Sequence, residues 1–195
     1  MIKIIATFYF LRKMSKLSVQ VEIKPINLEN FEKIPLPCRS CIYWENPALF
    51  NEKLPEDDRI EIKKEWYRKT LNNYGICGKI LFFRGQPVGY TKFAPPKYFR
   101  RLNDYDEKWL NEFSEKIVFI TCLYIKNSYR RKGFGSLLLK EIINELRERE
   151  VKEVYTYARL GNPNNPSGPL SFWLKNGFTI VDLKVSGFPL VKKII

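Results

Sequence analysis

The sequence predicts a mixed α/β domain of the α+β type: a mostly antiparallel sheet with a central βαβ unit and helices on both faces. Three observations predict it. Residues 117–125 form a nearly unbroken apolar run, as expected of a central strand covered on both sides. Beyond a basic, glycine-containing turn, Phe134, Leu138, Ile142 and Leu146 recur at i+4, with Leu139 and Ile143 widening the stripe into an amphipathic helix. Upstream, the apolar segments 76–83 and 87–93 flank a Gly85-Gln86 turn, which reads as a hairpin whose second strand Pro87 shortens.

Taken in order, residues 1–18 read as an N-terminal extension. Their apolar run, from Ile4 to Leu11, is far short of the roughly 20 residues a membrane span needs. A cytoplasmic, non-membrane protein is expected. Residues 19–26 alternate apolar and polar as a half-buried strand does, and Asn27 offers a cap to a short helix that Pro35 and Pro37 end. Residues 38–55 read as an irregular covering loop rich in aromatics. A charged helix follows over 56–74, with Gly75 at its stop. After the hairpin, 94–113 is a long aromatic connection, and then come the central strand and its helix over 134–150. Strands at 153–158, 178–181 and 188–194 and a short helix at 170–175, closed by Gly177, complete a single domain over 19–195.

Composition narrows the chemistry. The 195 residues carry a formal charge of +13, which favours anionic partners such as nucleotides, phosphorylated cofactors or nucleic acid. The chain has no His, which excludes a Ser-His-Asp triad, a His-Glu-x-x-His zinc site and a His base. Of the four cysteines only Cys38 and Cys41 are closely spaced, and no second close pair completes a zinc ribbon, so no metal is expected.

The turn that carries chemistry is Arg130-Arg131-Lys132-Gly133-Phe134-Gly135. Where a buried strand turns into a helix, free backbone amides, the helix dipole and glycines that admit close approach make a site for phosphate. The run resembles the Arg/Gln-x-x-Gly-x-Gly/Ala signature of GNAT-superfamily acyltransferases. About 40 residues on, Phe172-Trp173-Leu174-Lys175-Asn176-Gly177-Phe178 is similar to that family's second landmark, an aromatic-rich helix ending in Gly-Phe. Cys38-x-x-Cys41-x-Tyr43-Trp44-Glu45 marks a subgroup within it.

The resemblance implies an acetyl-CoA-dependent N-acetyltransferase acting on a primary amine by direct attack. Arg130, Arg131, Lys132, Gly133, Phe134, Gly135 and Ser136 would hold the CoA pyrophosphate. The backbone edge of Leu123, Tyr124 and Ile125 would receive the pantetheine arm where the fourth and fifth strands part, and an amide near Leu123 would stabilise the oxyanion. The family's tyrosine acid is replaced here by Trp173, whose indole cannot act as an acid near neutral pH. Glu115 and Glu112 are the nearest carboxylates to the family's usual glutamate, with Tyr124, Glu45 and Cys122 as further candidates for proton transfer; each also reads as loop charge or packing. Tyr43, Trp44 and Glu45 either face the acceptor or pack their loop onto the sheet. Two other readings are a CoA-binding protein without catalysis and a nucleic-acid-binding module using Lys97-Tyr98-Phe99-Arg100-Arg101, though no nucleic-acid-binding motif accompanies that patch. A monomer or homodimer is expected.

Overall fold

The computed structural model describes residues 20–105, 116–161 and 167–195. The expected N-terminal extension therefore lies outside them, as do Glu112 and Glu115. Seven strands form one sheet in the order β1-β2-β3-β4-β5-β7-β6: β1 Val21–Pro25, β2 Gly78–Phe83, β3 Gln86–Ala94, β4 Ile117–Ile125, β5 Glu153–Tyr157, β6 Thr179–Asp182 and β7 Leu190–Ile194. All neighbours are antiparallel except β4 and β5. The helices are α1 Pro47–Phe50, α2 Glu56–Tyr74, α3 Phe134–Glu148 and α4 Leu170–Lys175.

The alternation of side chains along each strand divides the core in two. Leu81, Phe93, Val118, Ile120, Leu123 and Val154 meet the apolar stripe of α3, together with Trp173 of α4. Ile80, Tyr90, Phe119, Cys122 and Tyr157 face the other way, toward Phe31, Trp44 and Tyr67 of α2. Helices on both faces thus cover the sheet, as the period-two strand patterns require. Arg149, just past α3, donates to the carbonyls of Tyr74 and Ile76 at 2.9 and 2.8 Å, satisfying acceptors left open at the end of α2.

Four local readings shift. The hairpin turns at Arg84-Gly85, one residue earlier than expected, with φ of 52° and 74° as a two-residue hairpin of the left-handed type requires. Pro87 does not shorten β3: it lies where that strand has run past the end of β4, next to a register slip opposite Leu81 and Phe82, so no ladder bond needs its missing N–H. The segment after Asn27 makes only a 3-10 turn, Phe31–Lys33, held by reciprocal side-chain bonds in which the amide of Asn30 donates to Asn27 and the amide of Asn27 to Asn30, at 2.8 and 3.0 Å. The loop 38–55 gains one helical turn, α1, capped where the Leu49 amide donates to the Asn46 side chain at 3.2 Å.

Candidate active site

The site begins with a break in pairing. β4 and β5 are paired only through Ile117, Val118 and Phe119, opposite Glu153, Val154 and Tyr155. Past that point β5 leads into Arg159, which bridges Pro169 instead: its amide donates to the Gly168 carbonyl, and its carbonyl accepts from Leu170, both at 2.9 Å. A cleft of about 580 Å³ opens where the strands part, between β4 and the segment that leads into α4. On its β4 side stand Leu123, Tyr124 and Ile125, and the α4 side contributes Gly168, Pro169, Ser171, Phe172 and Lys175.

The floor is the turn from β4 into α3. Arg130 is extended, Arg131 is left-handed at φ 59°, and Gly133, at φ 86°, is the residue from which α3 starts. No side chain caps α3 and its first turn holds no carboxylate, while the first helical amide bond is Leu137 to the Gly133 carbonyl at 3.0 Å. The amides of Phe134, Gly135 and Ser136 are thus left to whatever enters the cleft, with the positive end of the helix dipole behind them. Gly135 is needed for another reason: a Cβ there would meet Phe172 Cε2 at 3.3 Å and Leu123 Cδ2 at 3.7 Å, so its missing side chain lets α4 and β4 close on the helix terminus.

Nearly all the residues expected to hold a cofactor line this cleft: Leu123, Tyr124, Ile125, Arg130, Arg131, Gly133, Phe134, Gly135 and Ser136. Lys132 is not among them, its ammonium lying 5.3 Å from the centre of the Tyr129 ring. Arg130 is drawn inward, Nε donating to the Ile125 carbonyl at 2.9 Å. Tyr129, Ser171, Phe172 and Lys175 join the lining without having been singled out as contacts; the last three are brought there by the segment that the Arg159–Pro169 bridge holds, while Tyr129 precedes Arg130 in the turn itself. Burial holds the Tyr124 phenol above its ordinary value, with Cys38 adding to the effect and Arg130 opposing it. At neutral pH its hydroxyl therefore offers a proton. Trp173 is fully buried, its Nε1 donating to the Ser167 carbonyl at 2.7 Å, so it is core.

The opposite face of the same strands carries the other candidates. Trp44 packs against Phe119 of β4 and Tyr157 of β5, with ring centres 5.9 and 6.5 Å away, and so roofs the point where the two strands separate. Tyr43 shares a 2.7 Å hydrogen bond with the Tyr105 hydroxyl, and the Arg101 guanidinium lies 4.3 Å from its ring centre. Glu45 is buried, with Lys63 Nζ at 3.1 Å from Oε1 and Lys92 Nζ donating to the same oxygen. Burial alone would raise the Glu45 carboxyl, but the two ammonium groups hold it below its ordinary value. Neither lysine was singled out from the sequence, although Tyr67 and Thr70 repeat at helical spacing from Lys63, and Tyr90 and Ala94 flank Lys92 at strand spacing. The Lys97–Arg101 patch is partly interior: Phe99 is buried, and the Tyr98 carbonyl accepts from Trp66 Nε1 at 2.8 Å.

Comparison with known proteins agrees with this architecture. Residues 39–178 match the model of the acetyltransferase (GNAT) family. A spermidine N(1)-acetyltransferase of Thermoplasma acidophilum is 24% identical over 180 residues, covering 90% of this chain and 98% of that protein. The PaiA N-acetyltransferase of T. acidophilum, solved with coenzyme A, superposes with a TM-score of 0.58 at 18% identity, over 90% of this chain and 99% of that one. A ribosomal-protein-alanine N-acetyltransferase from Brucella melitensis does so with a TM-score of 0.57 at 21% identity, over 89% and 99%.

Proposed function

The chain belongs to the acetyltransferase (GNAT) family, and from that premise we propose that the cleft between β4 and β5 is where it moves an acetyl group from acetyl-CoA to a primary amine. One observation carries the assignment. The unpaired stretch of β4 and the uncapped N-terminus of α3 open into a single cleft, so one elongated ligand can meet strand edge and phosphate site at once. The amides from Arg131 to Ser136 hold the pyrophosphate, with the helix dipole and the Arg131 charge favouring it. The pantetheine arm lies along Leu123, Tyr124 and Ile125 as a short added strand, satisfying backbone groups that β5 leaves open.

The unprotonated amine forms a C–N bond to the thioester carbon, the carbonyl oxygen becomes an oxyanion facing an amide near Leu123, the nitrogen gives its extra proton to solvent, and collapse breaks the C–S bond and releases CoA thiolate. Tyr124 lines the cleft with its phenol protonated and is the proposed donor to that thiolate, in place of the family's tyrosine at the Trp173 position. Tyr43 and Trp44 are proposed to wall the acceptor side, and holding both reactants in one cleft supplies much of the acceleration.

The test is thiol release from acetyl-CoA with a panel of amines that includes a peptide with a free N-terminus and spermidine, alongside calorimetric titration with CoA. The expected result is CoA binding and amine-dependent thiol release. Binding without release from any amine would leave the reading of a CoA-binding protein without catalysis, which Trp173 in place of the family's tyrosine motivates. Absence of CoA binding would overturn the cleft assignment itself.

A further inference from the structure

Below the acceptor face lies a charge imbalance that a purely structural tie does not require. The Lys63 and Lys92 side chains are fully buried and Glu45 nearly so, and both ammonium groups converge on Oε1 of the one carboxylate. Among the described residues, Glu45 Oε2 has no hydrogen-bond partner. Lys63 also donates to the Cys41 carbonyl at 2.7 Å. One lysine would neutralise the carboxylate and tie the loop to the sheet; the second leaves the interior with a surplus positive charge.

Nothing among the described neighbours cancels it. The segment before α1 contributes Cys38 and Cys41, α2 contributes Tyr67, β3 contributes Tyr90, β4 contributes Cys122, and Cys77 precedes β2. Burial raises the thiols of Cys38, Cys77 and Cys122 and the phenols of Tyr67 and Tyr90, so all five stay neutral at physiological pH. The rings of Tyr90, Trp66 and Phe99, with centres 5.3 to 5.7 Å from the two ammonium groups, spread the charge without removing it.

The position matters as much as the sign. Lys92 pairs with Cys122 in the β3–β4 ladder, and the next residue of β4 is Leu123, where the lining of the cleft begins. Both side chains point to the face that Trp44 covers. Among the described residues, Glu153 and Asp104 are already engaged and so do not draw a cation to this face: Glu153 accepts from Tyr155 at 2.7 Å and from Lys192 at 2.9 Å, and Asp104 accepts from Arg101 at 3.0 Å.

Resting on the acetyltransferase reading above, we infer that the Lys63–Glu45–Lys92 cluster selects an acceptor amine of low basicity, such as the α-amine of a peptide or amino acid, and disfavours a polyamine. An amine attacks only without its proton, and a buried positive charge opposes the ammonium form. A unit charge acting across about 10 Å at an effective dielectric of about 20 moves such an equilibrium by about one pH unit. Free α-amines lose their proton about two units below lysine-like amines, so they profit from that displacement near neutral pH. Lys63 and Lys92 are positioning residues here, acting through the field and not by contact.

The experiment compares the wild type with Lys63→Met, which removes the surplus and keeps the Glu45–Lys92 pair, and with Lys63→Arg, which keeps the charge. The acidic limb of kcat for acetylation of a tetrapeptide with a free N-terminus is expected to move up by about one pH unit in Lys63→Met, with the alkaline plateau retained. Lys63→Arg is expected to leave the limb in place. Should Lys63→Met not fold, Lys92→Met removes the other charge and is read the same way. At pH 7 the wild type is expected to prefer the tetrapeptide to spermidine in kcat/KM, a comparison that needs no variant. An unmoved limb, a uniform loss at all pH values or a preference for spermidine overturns the inference while leaving the acetyltransferase reading intact. CoA binding without turnover of any amine in the wider panel overturns both.

Discussion

Glu45 and Lys63 titrate in opposite directions, and together they define a window of stability. The Glu45 carboxyl is held low despite burial by the two lysines, so its contribution is complete above the ordinary carboxylate value, near about 4.3, and disappears as pH falls through the lower folded value. Burial alone would lower Lys63, but the Glu45 carboxylate raises it; its contribution is complete below about 10.4 and is lost as pH climbs through the higher folded value. Melting temperature is therefore expected to be flat between these limits and to fall outside them. Glu45→Ala leaves two buried ammonium groups without a counter-ion and should lower unfolding free energy by about 3–5 kcal/mol in urea titration. A loss below about 1 kcal/mol would mean that water reaches the cluster. Gly135→Val is a different kind of change. Its added methyls would push Phe172 and Leu123 apart at the mouth of the helix, so CoA affinity should fall by more than about tenfold, a penalty of about 1.4 kcal/mol or more. Matching far-ultraviolet circular dichroism would show that the fold survives.

At the scale of elements, β4 joins the halves of the chemistry: Leu123, Tyr124 and Ile125 line the cleft, and Cys122, on the same face as Tyr124, meets the buried lysines. Tyr124→Phe keeps the ring and removes the proton, so it should lower kcat by about 10²-fold, with CoA affinity retained in calorimetry. Because thiolate is a tolerable leaving group, rescue by thioesters of more acidic thiols should reduce that deficit. Much of this element was legible beforehand. The apolar run of 117–125 announced a doubly covered strand, and the turn at 130–135 announced a helix terminus open to anions. What escaped were contacts made by distant chain segments. Lys63 and Lys92 look like ordinary surface cations when read singly, and only the return of the 38–46 segment over the sheet seals them beneath Trp44 and Glu45. Pro87 misled for the converse reason, since its cost depends on whether a neighbouring strand reaches that far.

Across the whole molecule, a charge of +13 and a cleft that opens at a helix terminus act in the same direction on an anionic cofactor. CoA at 100 times its dissociation constant should stabilise the folded chain by about 2.7 kcal/mol, seen as a rise in melting temperature. That rise should shrink as salt is increased from about 0.05 to 0.5 M, because the steering and phosphate terms are screened. No helix among the described residues is long and apolar enough to cross a membrane. Fold and cleft were readable from local patterns, because strand alternation and helix periodicity are themselves properties of neighbouring residues. The partition into a cofactor side and an acceptor side was not, because it depends on one irregularity in a ladder: Lys92 faces Cys122 while Phe93 faces Ile120, with Thr121 left over between them.

That extra residue works like a spatial reading frame. Before it, Phe119 points to the acceptor side and Ile120 to α3; after it, Cys122 points to the acceptor side and Leu123 to α3. Deleting Thr121 would close that frame without swapping sides, since Ile120 toward α3 followed directly by Cys122 toward the acceptor side is plain alternation; what would go is the bulge and the extra twist it gives β4 beside the cleft. The expected product folds but binds CoA more weakly in titration, whereas Thr121→Val, which keeps the bulge, should retain binding.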